Sequence, residues 1–244
     1  VTDLDRMPRG GPDASCLDRL LQTDRPEYLD RDDVAPAVKR SVVDALEWTG
    51  RVFGSHQQFA HIALDEIADV PDPRILELGA GHGALSTLLL EAHPTAQVMV
   101  TDVEADSVAA LAAGELGSHP RAVVRQMDAT AIDAPEGHFA LAVFACSFHH
   151  LPPATAAAAL AEGTRVADKL LIIDLPRPPA PLHVLRLATM LPLAPFIPFV
   201  HDGVISSLRS YSPSALRALA EHAGVTIELR GGLFSPQIAV ASRR

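Results

Sequence analysis

The chain has almost no cysteine, few aromatic residues and no basic stretch. Its 244 residues include two cysteines, Cys16 and Cys146, which is too few for a disulfide framework. Cys146 falls in an apolar run and reads as a buried thiol rather than a bridge partner. Lys and Arg number 20 against 30 Asp and Glu, a formal charge of −10. No cluster of them tracks a phosphate backbone, which argues against a nucleic-acid partner. No apolar run reaches the roughly 18 residues of a membrane span. The first residues are acidic and polar, unlike a signal segment, so a soluble, cytoplasmic protein is expected. Helical HxxxH spacing, a cysteine pair and a DDxD-like acidic cluster are all missing. His149, His150, Asp174, His183, His201 and Asp202 are therefore weighed as ligands, and no metal is expected.

What is present is an apolar fraction of 48%, enough for a core. The length suits one α/β domain with a modest extension. Residues 1–14 mix Pro8, Gly10, Gly11 and Pro12 with charges and read as a mobile N-terminus. Residues 15–73 read mainly as helices, broken by the acidic run Asp30–Asp33 and ended by Pro71 and Pro73. Over 56–69, Phe59, Ile62, Ala63 and Ile67 share one helical side. From residue 74 a strand–helix rhythm sets in. Strands are predicted at 74–79, 97–102, 122–127, 139–146 and 169–174, and helices at 83–92, 104–116, 154–166 and 213–223. That rhythm argues a parallel sheet with helices on both faces, closed by an antiparallel pair over 225–241. Residues 74–175 form the expected core and 213–244 the closing helix and strands. Between them, 176–212 holds seven prolines around an apolar stretch. It is too broken for one span and reads as a short helix plus lid.

The stretch RILELGAGHGALSTLLL, residues 74–90, is the most specific signal. An apolar strand runs into Glu77, glycines follow at 79, 81 and 83, and a leucine-rich helix begins. Gly79 permits the turn, Gly81 leaves room for a ligand, and Gly83 lets the helix pack closely. A bare strand–helix turn is the bland alternative. A dinucleotide site spaces its glycines GxGxxG so that pyrophosphate meets the helix amides. Here the spacing is GxGxG, with a carboxylate two positions upstream that suits an ammonium group better than a phosphate. Asp102, ending the next strand, suits ribose hydroxyls. Asp128 could accept from an adenine amino group while the Ala129 amide meets a ring nitrogen. Together these favour S-adenosyl-L-methionine, with S-adenosyl-L-homocysteine as product, over NAD.

With those residues in place, the chain resembles the class I S-adenosylmethionine-dependent methyltransferases over about residues 50–241. ELGAGHG, VMVTDVE and QMDAT resemble the family's first three motifs. FALAVFACSFHHLP and DKLLIIDLPRP resemble its fourth and fifth strands, and YSPSALRALAEHAG its penultimate helix. The chain is most similar to small-molecule enzymes of the menaquinone and ubiquinone type, although Ala140 stands where many members carry Asp. Ser147 to Pro152 also differ from the pattern of enzymes that methylate amino groups of nucleic acid or protein glutamine. The resemblance implies a Rossmann-like, seven-stranded, mostly parallel sheet with an antiparallel last strand, N-terminal helices, and a lid insertion before the penultimate helix. It implies cofactor contacts from Glu77, Gly79, Ala80, Gly81, Gly83, Asp102, Val103, Asp128, Ala129, Cys146 and His56.

His149 and His150 fall where acceptor and cofactor would meet, and either could take a proton from a hydroxyl near neutral pH. Adjacent histidines are expected to point different ways, so one rather than both would act. Methyl transfer is an in-line displacement with an activated leaving group, so alignment can supply most of the catalysis without a base. Leu182, Leu185, Leu187, Met190, Leu191, Phe196, Ile197 and Phe199 could wall a pocket for a hydrophobic acceptor; homodimer interface or plain core is an equal reading. Met190, His149, His201 and Tyr211 are the candidate acceptor contacts. The function expected is methyl transfer to a small acceptor, most readily at oxygen. A cofactor-binding module without catalysis and an NAD-dependent oxidoreductase are the alternatives; the latter lacks a Tyr-x-x-x-Lys pair.

Overall fold

In the computed structural model, residues 4–232 and 235–244 are described. Seven strands form one sheet in the order β3-β2-β1-β4-β5-β7-β6. They are β1 (Arg74–Leu78), β2 (Gln97–Asp102), β3 (Ala122–Gln126), β4 (Phe139–Ala145), β5 (Ala167–Asp174), β6 (Val225–Arg230) and β7 (Gln237–Arg243). β7 runs antiparallel to both neighbours and the other pairings are parallel. This is the expected architecture.

The helices are α1 (Cys16–Leu20), α2 (Pro36–Val52), α3 (Ser55–Asp65), α4 (Ala84–Ala92), α5 (Ala105–Ala113), α6 (Glu115–Ser118), α7 (Pro153–Val166), α8 (Ala180–Met190), α9 (Pro198–Arg209) and α10 (Pro213–Ala223). The central strands are buried on both faces, as parallel strands must be. Leu76, Leu78, Ala142, Phe144, Leu170 and Ile172 meet α7 and α10 on one face. Ile75, Val98, Val100, Leu141, Val143 and Leu171 meet α3 and α4 on the other. Alternation along each strand supplies both layers.

Three local outcomes differ from the sequence reading. The helix expected over 104–116 stops at Ala113, because Gly114 adopts an extended conformation and α6 starts afresh. The segment 176–212, read as a short helix plus lid, holds two helices, α8 and α9. Pro181 and Pro198 lie in the first turns of α8 and α9, where a missing N–H leaves no hydrogen bond unmade. The segment 1–14, read as mobile, is packed down over its described part. Leu4 and Met7 join the main core, and Arg9 is buried with its guanidinium on the carbonyls of His149 and Leu151.

Candidate functional site

The chain leaves β1 toward β2 and β3, then returns to lay β4 on β1's other side. The order therefore reverses between β1 and β4, and open sheets bind ligands at the carboxyl ends flanking such a reversal. The glycine turn follows β1 and the segment Cys146–His150 follows β4, so both flank that crevice.

On the β1 side, Gly79, Gly81 and Gly83 have φ of +66°, +54° and +79°, all in the left-handed region. A Cβ on Gly79 would stand 2.9 Å from the Ser147 side chain, so the two loops meet through the missing methyl. A Cβ on Gly83 would strike Leu116 and Leu111, which makes its close approach one to α5 and α6. A Cβ on Gly81 would meet nothing within 4 Å. That is the open place the ligand reading requires. Ala80, between two of these glycines, is buried.

Asp102 reaches back from the end of β2. One oxygen accepts from the Gly81 amide at 2.8 Å and the other from the Glu104 amide at 3.0 Å. The carboxylate thus shapes the turn it was expected to serve. The adjoining Val103 is exposed. Glu77 is buried and accepts a hydrogen bond from the Ser86 hydroxyl on α4. Burial raises its carboxyl to about 7, opposed by Ser86 and reinforced by the charge of Asp102. Asp128 is exposed and accepts from both the amide and the hydroxyl of Thr130, leaving its second oxygen outside that turn. Ala129 packs on the main core. His56, on α3, lies against Gly50 and 6.1 Å from the His82 ring beside the glycine turn.

On the β4 side, Cys146 corrects an expectation. It lies one residue past the strand, exposed rather than buried. Among the described residues it is the one non-glycine at positive φ, +54°. Backbone strain of that kind gathers at ligand sites.

The histidines form a cluster that sequence reasoning did not assemble. A short 3-10 turn, Phe148–His150, brings their rings to 4.4 Å instead of turning them apart. His149 Nδ1 lies 2.7 Å from Asp174 at the end of β5, whose other oxygen accepts the His149 amide at 2.9 Å. His149 Nε2 faces Glu27 at 3.4 Å and has no hydrogen-bond partner. His150 Nε2 is 3.8 Å from the same Glu27 oxygen, and its Nδ1 is 3.2 Å from Asp30. Burial alone would lower the His149 pKa, but Asp174 and Glu27 raise it to about 9. Burial would raise Asp30, and His150, the Glu27 amide and Arg209 bring it down to about 2. Glu27 and Asp174 are held below the usual carboxylate range by the histidines, against their burial.

This geometry bears on the base role. With its ring 2% exposed, both nitrogens directed at carboxylates and its proton held past neutrality, His149 offers no lone pair to an acceptor hydroxyl. His150 is the more exposed of the two. Tyr211 is also committed elsewhere. Its hydroxyl donates to the Leu151 carbonyl at 2.6 Å, and Arg9 covers its ring. His201 stacks on Tyr28 and pairs with Asp202, while His183 bonds Ser207. Met190 packs against a small cluster of Leu187, Ala194 and Val204. In the lid segment, Leu185, Leu191, Phe196 and Ile197 face solvent.

Sequence reasoning missed Glu27 and Asp30 because nothing in their local pattern links them to residue 149. The signal lay in three buried arginines that tie the N-terminal segment down. Arg177 donates to the carbonyls of Asp18, Leu21, Leu208 and Ser210, Arg209 to Asp30 and the His150 carbonyl, and Arg9 to the histidine turn.

Comparison with known proteins agrees with the topology. A family described as methyltransferase domain matches residues 75–169. No curated protein matches the sequence. Magnesium protoporphyrin IX methyltransferase of Synechocystis PCC 6803, solved with bound S-adenosylhomocysteine, is 18% identical; the match covers 89% of this chain and 91% of that one, with a TM-score of 0.56. CalO1, a methyltransferase of calicheamicin biosynthesis also solved with that product, is 18% identical over 93% of this chain and 68% of its own, with a TM-score of 0.58. SpnF, a (4+2)-cyclase, is 18% identical over 71% and 58%, with a TM-score of 0.53. At these identities the likeness is one of fold. The chain has the class I S-adenosylmethionine-dependent methyltransferase fold; none of this assigns it to the menaquinone and ubiquinone type.

Proposed function

We propose that this protein transfers the methyl group of S-adenosyl-L-methionine to an oxygen of a small acceptor. The observation that carries the reading is the open left-handed turn at Gly81, bonded by Asp102, at the β1–β4 reversal. The residues fit the cofactor chemically. Asp102, ending β2 beside Val103, is the ribose acid, Glu77 takes the ammonium, and Asp128 with Ala129 serves the adenine. Gly79, Ala80, Gly81 and Gly83 form the cradle, and Cys146 and His56 border it. The bound cofactor supplies a methyl on a positive sulfonium. The protein's part is to hold acceptor and cofactor in line and keep water out. His149 positions rather than deprotonates, since its buried ring turns both nitrogens to carboxylates of the protein. The exposed apolar side chains of α8 and the turn after it supply the surface on which a hydrophobic acceptor or a second copy would settle.

The test is calorimetry with S-adenosylhomocysteine and with NAD, followed by transfer of labelled methyl to a panel of hydroxylated acceptors. Saturable binding of the first ligand alone, with label on an acceptor, is expected. No binding at millimolar concentration overturns the reading. One observation favours a second reading, a binding module without transfer: the buried His149 turns both ring nitrogens to carboxylates and neither to an acceptor. Tight binding without transfer across the panel would select it.

A further inference from the structure

We propose that Glu27, His149 and His150 form a binding site for a divalent transition-metal ion, zinc by preference. The side-chain atoms of these three residues lie within 4.8 Å of one another. The Glu27 oxygen stands 3.4 Å from His149 Nε2 and 3.8 Å from His150 Nε2. Ligands on tetrahedral zinc, at bonds of about 2.0–2.1 Å, stand about 3.3 Å apart, whereas the same bonds in an octahedron put neighbours about 2.9 Å apart. The observed spacing is thus close to the tetrahedral one and slightly relaxed from it.

The outer partners point the same way. Metal-bound histidines give their second nitrogen to a carboxylate, which fixes the tautomer and aims the free nitrogen at the ion. Both histidines do so here, His149 to Asp174 at 2.7 Å and His150 to Asp30 at 3.2 Å. The site also shows a need. His149 is 2% exposed, and its Nε2 is buried without a hydrogen-bond partner while aimed at Glu27. A buried polar atom left in that state is costly and rare. The bland account is a protonated histidine between two acids, an ion pair with imperfect geometry. It accounts for the charge but leaves the buried His149 Nε2, 3.4 Å from Glu27, without a hydrogen-bond partner. Two nitrogens and one carboxylate suit zinc among biological cations, and three protein ligands leave a fourth position for water or an anionic oxygen. The absence of HxxxH spacing is no obstacle, because the ligands come from separate segments.

The inference stands on these residues and not on methyl transfer, so S-adenosylhomocysteine binding checks the other reading separately. The test is titration of the full, tag-free, metal-stripped chain with cobalt(II), followed by visible absorption and reversed by zinc. Expected is one equivalent bound with the intense bands of tetrahedral cobalt. Glu27→Gln and His150→Ala should each weaken binding by about tenfold or more, and Asp30→Asn by about 10- to 100-fold if the outer partner counts as in known zinc sites. His150 is partly exposed, so its variant is expected to fold, as circular dichroism can check. No saturable uptake by the parent chain overturns the site. So does unchanged uptake in folded His150→Ala, which would place the metal away from this cluster.

Discussion

The glycine turn and the histidine cluster lie on opposite sides of one crevice and were built in different ways. The turn is nearly local. Glu77, its three glycines and Asp102 fall within one strand–helix–strand unit, and the bond joining its ends spans 21 residues. The cluster draws on residues 27–30, 149–150 and 174, and Arg9 grips it across 140 residues of sequence. The first is a left-handed backbone shape that its glycines permit and Asp102 fixes from the next strand. The second exists only when an N-terminal segment is pinned over two strand ends. The lesson is that a local backbone shape can be read from a motif, while the side chains gathered beside it depend on which distant segments the fold delivers.

The comparison breaks most sharply at Gly81. Gly81→Val places a branched side chain at φ +54° in the open space of the turn, and calorimetry should show S-adenosylhomocysteine binding lost altogether. The cluster should stay intact, seen as an unchanged cobalt titration. Next in size is Asp174→Ala. It strips the buried His149 of its closer carboxylate, and urea unfolding should show a loss of about 3–5 kcal/mol. If stability is unchanged, the cluster is not the buried charge network described.

Glu77→Gln sharpens the turn's side. The native acid, raised to about 7, holds a proton that the unfolded chain has already released above its ordinary value of 4.5. Native stability therefore falls as pH rises between those values. The Gln variant escapes that loss, so its advantage should grow with pH and level off near 3 kcal/mol, an upper figure. Cofactor affinity should move the opposite way if Glu77 meets the ammonium. The smallest effect is Asp102→Ala. Losing a charged acceptor should weaken cofactor binding in calorimetry by about 1.5–3 kcal/mol, and the cobalt titration should find the cluster untouched.

The layered α/β architecture was legible because its signals are periodic. Apolar strands such as RILEL and the run of β5, recurring between helical patterns, leave few other ways to bury their side chains. Pro36, Pro153 and Pro213 at helix starts, and Gly224 in the left-handed conformation after α10, mark boundaries by local sterics alone. Cys146 was misjudged because its apolar neighbours end at Ala145 and its own backbone turns left-handed. Tyr211 read as a candidate acceptor contact, since a sequence does not show that the Leu151 carbonyl would claim its hydroxyl.

By itself, then, the sequence determined the sheet, its helical layers and the glycine turn, because these follow from periodicity and from dihedral limits that act over a few residues. Only the tertiary structure decided that Glu27 and Asp30 would face His149 and His150 with Asp174 behind them. Such a meeting depends on contacts between segments more than a hundred residues apart, and no local preference encodes it.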